Sequence, residues 1–145
     1  MDAQERARRV ADVMWANDAA TRALGMEIVA VGPGSAILEM SVAPQHLNGH
    51  GTCHGGLIFS LADSAFAFAC NSHNRLAVAQ GNSITYVAPA QPGERLRAEA
   101  HEAALMGRSG VYDVRVTGDD GRVVALFRGQ SRQIRGQHFS EDQEA

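Results

Sequence analysis

From Asn48 to Asn71 the chain reads NGHGTCHGGLIFSLADSAFAFACN, and the organisation of the whole protein follows from this stretch. In its second half Leu57, Ile58, Leu61, Ala62, Ala65, Phe66 and Ala69 recur at the three- and four-residue spacing of one helical face, which predicts a long, largely buried helix. Gly55 and Gly56 stand at its start, where the absence of side chains lets the backbone approach a ligand and the first helical amides point outward with the positive end of the dipole behind them. Such a terminus can stabilise a developing oxyanion; the same glycines also serve a plain loop-to-helix turn. Asp63 lies about two turns into the apolar helix, with Phe59 before it and Phe66 after it. Between Arg22 and Arg75 the only basic side chains are His46, His50, His54 and His73, so a buried Asp63 has no ordinary local partner. Either it faces solvent or meets a distant Arg, or it is a reactive carboxylate in a pocket; the last is the reading adopted.

Working outward, Ala7, Val10, Ala11, Met14 and Trp15 predict an amphipathic helix from Ala3 to about Leu24 that covers something apolar. Met26 to Val31 and Ser35 to Val42 flank Gly32-Pro33-Gly34 and predict a β-hairpin. After the central helix come four strand-like runs, Ala77 to Val87, Arg95 to Leu105, Val111 to Thr117 and Val123 to Ile134. Leu96, Ala98 and Ala100 alternate with Arg97, Glu99 and His101, the mark of one packed and one wet face. The expectation is a single α+β domain over residues 1–145, with a four-strand antiparallel meander joining the hairpin in a sheet that wraps the central helix, and a mobile polar tail from Gly136 to Ala145.

Composition excludes several functions. A chain of 145 residues supports one core. The net charge of -3 and the absence of a basic patch argue against nucleic acid as a partner. All thirteen basic residues are Arg, so no Schiff-base or phosphate-loop lysine exists. Two cysteines, no basic-then-apolar leader and no apolar run of about 20 residues lead to the expectation of a cytoplasmic protein away from membranes.

Other constellations carry less. His46, His50, His54 and Cys53 resemble a metal cluster but lack the usual ligand spacing, and no metal is expected. Cys53 beside His54 is a poor nucleophile-base pair, because adjacent side chains rarely face each other. No Gly-x-Ser-x-Gly elbow is present. Arg108, Arg128, Arg132 and Arg135 are available for phosphates, though exposed arginines on a wet sheet face are commonplace.

The Asn48–Asn71 stretch closely resembles the signature of hotdog-fold thioesterases of the phenylacetate-degradation type, and the order of elements extends the resemblance over nearly the whole chain. What this implies is a hotdog fold, a homodimer joined edge to edge with active sites at the subunit interface, a homotetramer made of two dimers, and cofactor-free hydrolysis of acyl-coenzyme A thioesters with aryl- or hydroxyaryl-acetyl groups. Carried onto this sequence, the Gly55 amide polarises the thioester carbonyl, Asp63 of the other subunit is nucleophile or general base, and Asn48 and His54 orient groups nearby. Gly56, Gln80, Asn82 and Ser83 are the candidates for substrate contact. A non-catalytic acyl-coenzyme A binder and a hydratase using His54 with Asp63 are the rival readings.

Overall fold

The computed structural model describes residues 1–141. Asp2 caps helix α1 (Ala3–Asn17), its side chain accepting from the Glu5 amide, and Ala7, Val10 and Ala11 form the buried stripe. The single N-terminal helix expected from the pattern is two helices. Asp18 ends α1 and caps α2 (Ala19–Ala23) by accepting from the Thr21 amide and hydroxyl, and this competing side-chain bond breaks the run. Gly25, at φ 79°, turns the chain into strand β1 (Met26–Gly32), which pairs with β2 (Ser35–Ser41) as the hairpin pattern predicts.

Helix α3 (Gly55–Cys70) lies across the inner face of the sheet, and four strands follow it: β3 (Ala77–Tyr86), β4 (Arg95–Met106), β5 (Ser109–Thr117) and β6 (Val123–Gln133). The order is β1-β2-β4-β5-β6-β3, antiparallel throughout. The expected four-strand meander is therefore wrong in one respect: β3 pairs with β6 at the far edge, and β4 returns to lie beside β2. The 87–94 connection contains Pro89 and Pro92 and is no hairpin turn. It crosses the end of the sheet and is tied there by the Cys53 amide to the Ala90 carbonyl and the Val42 amide to the Glu94 carbonyl. Patterning specifies a strand and its inward face but not its neighbour, which explains the error.

The core joins Leu38, Met40, Leu96, Ala98, Val114, Val116 and Phe127 of the sheet to Ile58, Leu61, Ala62, Ala65, Phe66 and Ala69 of α3. Ala62, Ala65 and Ala69 let the helix settle close to the strands. Gly129 makes room for Phe66, since a Cβ there would stand 2.8 Å from its ring. The outer face carries the predicted polar residues as a lattice, Arg95 to Glu27 and Glu39, and Arg97 to Glu39 and Glu99.

The segment expected as a mobile tail is tied down as far as Glu141. Asn74 donates to the Phe139 carbonyl and the Glu141 carboxylate, Glu141 pairs with Arg6, and Arg9 stacks 4.1 Å above the Phe139 ring. Asn74 holds this position at φ 61°, a left-handed conformation that asparagine tolerates better than most residues. Residues 142–145 of the expected tail lie outside the described residues.

Candidate active site

At the N-terminus of α3, His54 is the cap: its Nδ1 accepts from the Gly56 amide at 2.9 Å, and its carbonyl accepts from Leu57 and Ile58. An accepting Nδ1 leaves the proton of the neutral ring on Nε2. With Gly56 engaged, the Gly55 amide is the free donor of the first turn, without an acceptor among the described residues. The Tyr86 hydroxyl donates to the Gly55 carbonyl at 2.7 Å, and a Cβ on Gly55 would meet the Tyr86 ring at 3.2 Å. An open cleft of about 280 Å³ borders this terminus, lined by Gly55, Ile58, Tyr86, Val87 and Ala88.

Asn48 shapes the preceding loop. Its Oδ1 accepts from the amides of His50 and Thr52, and its own amide donates to the Thr52 carbonyl. The result is a compact turn, with Gly51 at φ 78°, that delivers His54 to its capping position.

Asp63 is half-buried on α3, and its partner is not an Arg but Asn82 of β3, whose Nδ2 donates to Oδ1 at 3.2 Å. Burial pushes the carboxyl above its ordinary range, and the Asn82 bond works against that rise. The Asn82 Oδ1 is itself buried without a partner. Strand and helix run side by side here: eight residues of helix from Gly55 to Asp63 span about 12 Å, and four residues of strand from Tyr86 to Asn82 span about 13 Å. The Gly55 amide and the Asp63 carboxylate of one chain are thus two turns apart and cannot meet on one small carbonyl group.

Of the other sequence candidates, Gln80 and Ser83 are exposed, and Gln80 falls in the register break between Ala79 and Gly81. The structure brings Asn82 to Asp63, Tyr86 to Gly55 and His54 to Gly56; Asn48 stays within its loop. Tyr86 escapes the sequence reading because nothing local shows that the end of β3 lies over the start of α3. His46 is buried and accepts from the Ala43 amide, so it supports the loop. No cluster able to hold a metal occurs among the described residues. Burial pushes the Cys53 thiol up to about 11 and the Cys70 thiol to about 12, so neither is a thiolate nucleophile at neutral pH. Arg128 is engaged by Asp113 on the outer face.

Comparison with known proteins agrees with this architecture. The family model described as the thioesterase superfamily matches residues 50–125. The acyl-coenzyme A thioesterase PaaI of Escherichia coli (strain K12) is 44% identical over 126 residues, covering 87% of this chain and 90% of that protein. The solved structure of the E. coli PaaI protein from the phenylacetic acid degradation operon superposes with a TM-score of 0.92 at 42% identity, covering 94% of this chain and 99% of that one. A hypothetical thioesterase from Streptococcus pneumoniae TIGR4, solved with coenzyme A, superposes with a TM-score of 0.74 at 25% identity over 78% of this chain and 88% of that chain. The sheet wrapped on α3, the glycine-led helix terminus and relatives of this extent place the protein in one family: it belongs to the thioesterase superfamily.

Proposed function

We propose that the protein hydrolyses acyl-coenzyme A thioesters, with aryl-acetyl groups such as phenylacetyl or hydroxyphenylacetyl as its substrates, in the catabolism of phenylacetate. The likeness to PaaI supports the substrate class, and the observation that carries the chemistry is the free Gly55 amide at the head of α3. The thioester carbonyl oxygen accepts from this amide. The Asp63 carboxylate, made more basic by burial, takes a proton from a water whose oxygen attacks the carbonyl carbon. The tetrahedral oxyanion collapses, the C–S bond breaks, and the proton passes to the departing thiolate. Thiolate leaves readily, so one oxyanion donor and one base suffice without a triad. No cofactor takes part.

The two-turn separation within one chain supports a site completed by a second subunit. β3 is an edge strand that exposes Val78 and Tyr86, with Val87 just beyond its end, the kind of edge that pairs with another chain. Antiparallel pairing of two β3 strands about a two-fold axis near Ile84 sets residue 86 of one beside residue 82 of the other. Gly55 then faces Asp63 of the partner subunit, giving two equivalent sites per homodimer. Two such dimers form the homotetramer.

The test is thiol release from phenylacetyl-, hydroxyphenylacetyl- and aliphatic acyl-coenzyme A. Asp63→Asn is expected to retain binding and lose turnover by several orders of magnitude. Wild-type turnover in that variant would remove Asp63 from the mechanism, and tight binding with no hydrolysis by the native protein would mark a binder instead.

A further inference from the structure

Asn82 is the one polar side chain that reaches Asp63 among the described residues, and its placement is unusual. A carboxylate only accepts, so the amide nitrogen must face it, and this turns the amide oxygen into a buried position where nothing donates to it. A buried acceptor left unpaired works against folding, so the bond is poorly explained as a stabilising contact. It is well explained by what it does to Asp63. Among the described residues no arginine or histidine on the other elements packed nearby pairs with this carboxylate; the titratable group that feels its charge is the Cys70 thiol of the same helix, which burial keeps neutral.

We propose that Asn82 is a positioning residue that aims the Asp63 carboxylate and holds it in its basic form, leaving the second carboxylate oxygen for the attacking water. The role rests on the reading of Asp63 as general base. It also reassigns Asn82, which the sequence places among the substrate contacts: with its nitrogen on Asp63 and its oxygen buried, the amide touches the base rather than the acyl group. Ser83, next along the strand, points to the opposite face and has no such part.

The experiment is the pH dependence of kcat/KM for phenylacetyl-coenzyme A in Asn82→Ala and Asn82→Asp, alongside Asp63→Asn. Losing the donor leaves burial unopposed, so in Asn82→Ala the acid limb moves to higher pH by about half a unit or more, kcat at neutral pH falls about tenfold and KM stays within about twofold. In Asn82→Asp two carboxylates compete for one proton, so the limb moves further in the same direction. Circular dichroism is expected to show both variants folded at the assay temperature, which separates positioning from loss of the fold. An unmoved acid limb in both variants, or a change confined to KM, overturns the proposal. If Asp63→Asn is dead while Asn82→Ala keeps the native profile, only the role of Asn82 falls; if Asp63→Asn stays active, the reading of the site falls with it.

Discussion

At the scale of single residues, Asp63 as the proposed base sets function against stability. Its carboxyl is held above its ordinary range by burial, so the folded state binds a proton more tightly than the unfolded state does. For an acid shifted upward the penalty is absent below the unfolded value and fully present once pH exceeds the folded value. Asp63→Asn is therefore expected to melt higher than the native protein at pH 7, with the advantage shrinking as pH falls through the raised folded value and gone below about 4. Calorimetry across that range checks the sign, and an unchanged or lowered melting temperature at pH 7 contradicts it. The sequence already hints at this residue, because a lone carboxylate among Phe59, Phe66 and alanines lacks any local counter-charge. Asn82 as its partner is illegible there, since the contact joins residues 19 apart across a helix and an edge strand.

At the scale of elements, the head of α3 and the connection into β4 each give a clear test. Gly55 occupies the first helical position, and His54 before it has φ -60° and ψ 131°, a conformation that a following proline favours. Gly55→Pro thus deletes the one amide proton while keeping the helix start, with Tyr86 shifting slightly to admit the ring. The expected loss in kcat is about 100- to 1000-fold, measured with circular dichroism to show the fold intact. Glu94 anchors the other element: it accepts from the amides of Gln91 and Asp119 and from Arg122, and Arg122 with these amides pulls its carboxyl down to about 2. A depressed acid contributes stability above its ordinary value and loses it as pH falls toward the folded one. Glu94→Gln should cost about 1–3 kcal/mol at pH 7, a difference that closes between about pH 4.5 and 2 in denaturant titrations. Helical and strand periodicity made every one of these elements legible; the break at Asp18 and the crossing of the 87–94 connection were not, because each depends on a specific side-chain cap or a distant backbone partner.

At the scale of the whole molecule, the proposed sharing of the site between subunits makes mixing informative. When Asp63→Asn and Gly55→Pro, each inactive alone, are unfolded and refolded together in equal amounts, half of the dimers pair one of each. Every such dimer holds one doubly damaged site and one intact site, so activity returns to about a quarter of the native value. No recovery would place both groups in one subunit, against the two-turn separation. The sheet and its inward face were readable from alternation and the covering helices from helical spacing, whereas the exchange of β3 to the edge, which creates the proposed pairing surface, was not. That position is decided by which strands bury each other best across α3, a global property.

The segment from Gly136 to Glu141 grips α1 through Arg6 and Arg9. Helix α1 otherwise rests on β1, α2 and α3, and the Arg6–Glu141 contact joins residues 135 apart in sequence, so the clasp closes only once the sheet between them has formed and α1 gains protection from a protease later than the sheet does.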